Sequence, residues 1–274
     1  MSDRFPLAFS TLGCPNWTFE QAAEQAARHG YQALEVRLLN GEIIPADLGA
    51  EQRAAVRATL ARHGMAICGL GLSTRFAFAD AAERRANLDL LRRYIDLAAD
   101  LNVPMVRTFG GPLTEGVSLE QAVGYVAEAL NTAAPTAEQA GVTILLETHD
   151  AFCKGADVAK VLAQVPSQNV AAVWDVHHPF RMGEDIETTW RVIGPRVAHV
   201  HIKDARLRPD GSWQLVLLGE GEVPCRAVIE LLDREGYQGM VAAEWEKKWH
   251  PEIEEPEVAL PQHAEVLRQW MAAL

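Results

Sequence analysis

Residues 142–178 read VTILLETHDAFCKGADVAKVLAQVPSQNVAAVWDVHH. An apolar run, Val142–Glu147, ends in a carboxylate, a helix-period stretch over Ala156–Gln164 follows, and a second apolar run, Val170–Asp175, ends in another carboxylate. Neither run alternates apolar and polar residues, which is how strands buried on both faces of a parallel sheet read. Working outward, the same strand-then-helix unit recurs until it has been counted eight times. The other strand-like runs are Leu7–Leu12, Ala33–Leu38, Ala66–Leu72, Met105–Phe109, Val197–Ile202 and Met240–Trp245. The other helical stretches lie at Phe19–His29, Ala50–His63, Ala81–Leu101, Leu119–Ala140, Glu187–Ile193, Pro224–Glu235 and Glu257–Ala273. Gly30, Gly64, Gly141 and Gly236 each follow a helical stretch, where a left-handed C-cap favours glycine. Eight such units in 274 residues, with no Gly/Ser linker, predict an α/β fold: a single (β/α)8 TIM barrel as one domain over residues 1–274. The alternative, an open doubly wound sheet, lacks its usual GxGxxG after the first strand.

Composition narrows the function. Apolar residues make up 49% and charged residues 23%, an ordinary globular balance, and no apolar run reaches the length of a membrane span. Lys and Arg number 25 against 37 Asp and Glu, so the net charge of −12 argues against nucleic-acid or anionic-membrane partners. The opening Met-Ser-Asp-Arg-Phe-Pro does not read as a secretory signal, and the expected location is the cytoplasm. Cys14, Cys68, Cys153 and Cys225 form no CxxC pair and read as reduced thiols.

In a barrel of this kind the chemistry sits at the carboxyl ends of the strands. Strand five ends at Glu147-Thr-His149-Asp150, strand six at Asp175-Val-His177-His178, strand seven at His199-Val-His201-Ile-Lys203-Asp204, and strand eight at Glu244-Trp-Glu246. The intervals of 28, 26 and 43 residues between Glu147, Asp175, His201 and Glu244 are each about one strand–helix unit, so four side chains are expected to converge. Charges emerging directly from apolar runs are costly unless paired or metal-bound. Three carboxylates and one imidazole form a hard donor set that fits one divalent ion, Mn²⁺ first, with Mg²⁺, Co²⁺ or Zn²⁺ as alternatives. Separate ion pairs with nearby Arg or Lys are the competing explanation.

The motifs Leu-Glu147-Thr, Trp-Asp175-Val-His-His178, His-Val-His201-Ile-Lys-Asp204 and Ala-Glu244-Trp, in this order and spacing, resemble those of the xylose-isomerase-like TIM barrels of sugar isomerases and epimerases, over essentially the whole chain. That group includes ketose 3-epimerases and inosose isomerases. The resemblance implies Glu147, Asp175, His201 and Glu244 as metal ligands, Glu147 and Glu244 as the catalytic acid/base pair, and His178 as a substrate contact. Two positions depart from the 3-epimerase pattern: Leu207 stands where an Arg is usual and Cys153 where a second Glu is usual.

Further substrate-binding candidates are His149 and Lys203 at strand ends, Arg206 beside Leu207, and Trp17 after strand one, whose ring suits the apolar face of a sugar. Lys203 and Asp204 read equally as a solvated rim pair. His177 is expected on the opposite side of the strand from His178, in a structural role. Glu35, Arg37 and Arg107 read as a buried ion network, and Gly219-Glu-Gly221 resembles the family's Gly-x-Gly turn.

The function expected is a metal-dependent isomerase or epimerase of a sugar or inosose-like ketone, working through an enediolate. A dehydratase of a related cyclic polyol ketone is the alternative, since the same base can drive loss of a β-hydroxyl. DNA repair of the endonuclease IV type, on the same barrel, is disfavoured by the −12 charge and the single ligand set. The partner is a small-molecule sugar or polyol ketone, and homo-oligomerisation is left open.

Overall fold

The computed structural model describes residues 4–274. Its barrel strands are β1 (Leu7–Ser10), β2 (Ala33–Val36), β3 (Ala66–Gly71), β4 (Met105–Thr108), β5 (Thr143–Glu147), β6 (Val170–Asp175), β7 (Val197–Ile202) and β8 (Met240–Ala243). They follow one another around a closed barrel in chain order, β8 returning to β1, as the alternation predicts, and the open-sheet alternative is excluded.

The helices are α1 (Phe19–Arg28), α2 (Ala50–His63), α3 (Ala81–Asp100), α4 (Leu119–Ala140), α5 (Gly155–Leu162), α6 (His177–Arg181), α7 (Ile186–Ile193), α8 (Cys225–Arg234) and α9 (Pro256–Met271). Local signals explain their limits. Thr18 and Ser118 each close a capping box with the Gln three residues on, satisfying N–H groups that a helix start leaves bare. Gly30, Gly64, Gly141 and Gly236 take φ of 73°, 63°, 67° and 70°, the left-handed conformation expected of them. Among the described residues no helix is long and apolar enough to cross a membrane.

The chain divides into two compact units. The first holds the described residues up to Ile44 together with Ala50–Cys68 and His199–Leu274. Within it β1 lies between β2 and β8, in a parallel register that sets Ser10 beside Glu35 and Leu7 beside Val241, while β8 aligns Ala242 with His201 of β7. Leu7, Phe9, Leu34, Val200, Ile202 and Val241 are fully buried there. The second unit, Pro45–Gly49 and Gly69–Ala198, carries β4, β5 and β6, with Arg107 beside Leu145 and Glu147 beside Val173. Leu145, Ala171 and Val173 pack together against Met105 and Ala198.

Three elements lie outside the strand–helix pattern. A two-stranded ribbon pairs Leu38–Leu39 with Glu42–Ile43 through Asn40 and Gly41, at φ of 54° and 83°. Asn-Gly with both φ positive is the favoured two-residue hairpin, so this turn was readable. A second ribbon pairs Asp204–Leu207 with Trp213–Val216. The third element, α6, begins at His177, so the alternation assumed for His177 and His178 stops there: strand parity does not apply beyond β6, and the expected opposition of the two rings lacks its basis.

Candidate active site

In the second unit Glu147 and Asp175 are the last residues of β5 and β6, and both are buried. Thr148 latches the two strand ends: its Oγ1 donates to the Asp175 carbonyl at 3.1 Å and accepts from the Asp175 N–H at 3.0 Å. Arg107 arrives from β4, and its Nε lies 2.9 Å from Glu147 Oε2, an ion pair of buried groups without hydrogen-bond alignment. The same guanidinium donates through Nη1 to the Leu72 carbonyl at 2.9 Å and stacks 4.1 Å from the centre of the Phe109 ring.

Asp175 serves two neighbours. Oδ1 accepts from the His177 N–H at 3.0 Å at the start of α6, and Oδ2 lies 3.2 Å from His178 Nε2. The His178 ring meets the His149 ring edge-on at 4.5 Å, and His149 packs on Phe109, also at 4.5 Å. His149 Nδ1 is 3.1 Å from Asp150 Oδ1, and Asp150 holds φ of 50°, a left-handed conformation unusual for a residue with a side chain. Burial raises the Asp150 carboxyl, but the hydrogen bond and charge of His149, with His178 and Arg75, bring it below its ordinary value. Cys153, where the 3-epimerase pattern has Glu, is pushed up by burial and donates to the Asp150 carbonyl at 2.9 Å. All four cysteines are buried and stand outside any disulfide, which suits inert thiols.

In the first unit the centre is His201 on β7. Its Nε2 lies 2.6 Å from Glu35 Oε2 and its Nδ1 lies 3.3 Å from Glu244 Oε1. His199 Nε2 shares the same Glu35 oxygen at 2.9 Å. Burial alone would raise Glu35, but the two histidines draw it well below the ordinary carboxylate range. Glu244 Oε2 accepts from Lys203 Nζ at 2.7 Å, and Lys203 also pairs with Glu246. At 1% exposure Lys203 is a buried cation, so the reading of Lys203 and Asp204 as a solvated rim pair is corrected.

Asp204, also 1% exposed, accepts from the backbone N–H groups of Ala205, Gly219, Gly221 and Val223 at 2.8–3.1 Å. Burial raises its carboxyl against the opposing pull of those four donors. A Cβ on Gly221 would sit 2.1 Å from Asp204 Oδ1. The Gly219-Glu-Gly221 turn is therefore shaped around a carboxylate of the chain itself. Arg206 is exposed and donates to the Glu220 carbonyl of that turn. Trp17 is half-buried, its Nε1 donating to Glu257 Oε1 of α9 at 2.9 Å.

The donor chemistry of His201 tests whether a cation belongs here. Its two ring nitrogens each face a buried carboxylate, Glu35 at 2.6 Å and Glu244 at 3.3 Å, and an imidazole set among carboxylates is a nitrogen-and-oxygen donor set of the kind divalent ions take. The residues fit a divalent metal.

Residues 23–270 match the family model described as the xylose isomerase-like TIM barrel. The chain belongs to that family. Among curated relatives of this xylose isomerase-like barrel, a fructoselysine 3-epimerase of Shigella flexneri is 26% identical over 85% of this chain and 87% of its own length. An inosose dehydratase of Yersinia enterocolitica is 24% identical over 89% of this chain and 91% of its own length. A crystal structure of the IOLI protein with a binding zinc atom superposes with a TM-score of 0.78 at 20% identity, covering 98% of this chain and 95% of that one.

Proposed function

We propose that this chain is an isomerase or epimerase of a sugar or inosose-like ketone, dependent on one divalent ion, with Mn²⁺ as the first choice. The observation that carries the reading is that all four ligand-type side chains, Glu147 and Asp175 closing β5 and β6, His201 on β7 and Glu244 just beyond β8, are buried, whereas the ion pairs to Arg107 and Lys203 account only for Glu147 and Glu244. The family and its epimerase relative support the reaction class. Glu147, Asp175, His201 and Glu244, on four strands consecutive in barrel order, would hold the ion, and their donor atoms suit that role.

A divalent ion there supplies a Lewis acid for a substrate carbonyl and the hydroxyl beside it. The chain's own groups do the rest. One glutamate takes the proton from the carbon α to the carbonyl, giving an enediolate, and the other returns a proton to carbon or moves it between oxygens. Arg107 and Lys203 hold the two carboxylates in place, and burial excludes water from the proton path. His178 and His149, braced ring against ring, are suited to bind substrate hydroxyls. The setting proposed is the cytoplasm, in keeping with four cysteines that stand outside any disulfide.

A dehydratase is the second reading, favoured by the inosose dehydratase relative. It uses the same α-proton abstraction followed by loss of a β-hydroxyl as water. Incubation with a panel of ketoses, inososes and 3-keto sugars in D₂O separates the two. Isomerisation conserves mass and places deuterium on the α-carbon, whereas dehydration yields an absorbing enone. Glu147→Gln and Glu244→Gln should each cost about 10²–10⁴-fold in rate, with bound metal measured in the same samples. Absence of exchange, together with a Glu244→Gln enzyme of normal rate and full metal content, would refute the proton-transfer pair.

A further inference from the structure

We infer that Glu35 is a positioning residue for His201: from β2 it accepts a hydrogen bond from the Nε2–H of the imidazole and thereby presents Nδ1 as the donor atom on the Glu244 side. The inference rests on the proposed function for the purpose of Nδ1, but its geometry lies entirely among Glu35, His199, His201 and Glu244. The two ring nitrogens of His201 face carboxylates at unequal distances, 2.6 Å to Glu35 and 3.3 Å to Glu244. The shorter contact marks Nε2 as a nitrogen that donates, because an acceptor opposed to an acceptor at 2.6 Å is the costlier arrangement. All four side chains are at least 95% buried, so no solvent relieves a wrong choice of tautomer.

His199 completes the device. Its Nε2 lies 2.9 Å from the same Glu35 oxygen and its ring stands edge-on to that of His201, 5.2 Å between centres and at 86°. The Glu35 carboxylate is thus held from a second direction, so it restrains ring rotation as well as tautomer. Register contributes too: Ala242 beside His201 and Ser10 beside Glu35 fix both backbones in the sheet. A carboxylate that accepts from the second nitrogen of a metal-binding imidazole raises the basicity of the first and holds its direction.

A competing account makes Glu35, His199 and His201 themselves a cation site, since their donor atoms lie within 4.8 Å of one another. Two measurements decide. In metal-free wild-type protein, ¹⁵N–¹H correlation spectra of the His201 ring should show Nε2 protonated, and Nδ1–H as the sole tautomer overturns the inference. Titration with Mn²⁺ followed by electron paramagnetic resonance should give Glu35→Gln the wild-type stoichiometry with a dissociation constant raised about 10–100-fold. His199→Ala should keep the wild-type stoichiometry and bind the ion more weakly, but by less than Glu35→Gln. An unchanged constant in folded Glu35→Gln, or one fewer ion per chain, defeats the positioning role. Should the wild type bind no divalent ion, the proposed function fails, while the ring spectra still decide what Glu35 does to His201.

Discussion

Replacing Arg107 by Met keeps an unbranched stem and most of the volume of the side chain but removes the cation opposite Glu147. The two groups are 5% and 1% exposed and 2.9 Å apart, a separation at which an effective dielectric constant near 20 gives an attraction of about 6 kcal/mol. Met recovers part of that loss, because the desolvation of the guanidinium is no longer required. The net cost expected when one partner of a buried pair is removed is about 3–5 kcal/mol, most of it the carboxylate left without compensation. For a chain of this size that corresponds to a fall of roughly 6–20 °C in the unfolding midpoint. The measurement is thermal unfolding with EDTA present, followed by tryptophan fluorescence. Adding Glu147→Gln to Arg107→Met removes the uncompensated charge and should restore more than half of the loss. Saturating Mn²⁺ should narrow the gap between wild type and Arg107→Met, because a cation held by Glu147 replaces the missing one. A loss below about 1 kcal/mol with EDTA, or a double variant no more stable than Arg107→Met, would show that the pair does not carry the charge of Glu147.

His178→Ala should retain its metal but lose at least about 10²-fold in kcat/KM, since His178 stands 3.2 Å from Asp175 without belonging to the proposed ligand set. Metal loss or full activity in that variant contradicts the assignment. His263, fully buried on α9 beside Trp245, is held down to about 4 from its ordinary 6.5 by burial, against the opposing effect of its bond to the Ala259 carbonyl. The unfolded chain therefore takes up the proton first, so this contribution is whole above pH 6.5 and is lost as pH falls toward 4, by up to ~3 kcal/mol. His263→Leu should flatten that limb in denaturant titrations at pH 7 and pH 4.5, and parallel losses in the two proteins would refute it.

The barrel was legible because its signal is repetitive. Each buried parallel strand must be apolar on both faces and each covering helix amphipathic, so runs such as Val170–Asp175 announce themselves eight times and agree with four glycine caps. The strand-end acids were legible for a related reason: a carboxylate that closes an apolar run, as Glu147 and Asp175 do, has few bland explanations. What the sequence withheld was pairing. Nothing in Met-Val-Arg107-Thr tells that this guanidinium meets Glu147, because the partner lies one strand over and the choice follows from register. Lys203 reads as a rim residue, and nothing in Ile-Lys203-Asp shows that it is buried against Glu244 and Glu246. His177 and His178 follow a strand and read with its period, whereas a new helix begins at His177, whose N–H donates to Asp175 Oδ1, and the period changes there. Glu35 is the sharpest case. Its place in Ala-Leu-Glu35-Val marks it as a buried acid, and burial demands a partner, so a basic side chain such as Arg37 or Arg107 is the natural expectation. Two imidazoles satisfy that demand instead of leaving it to a permanent cation. The difference matters chemically: a guanidinium would only neutralise Glu35, whereas an imidazole passes the effect on, because fixing the proton on one ring nitrogen decides what the other can bind.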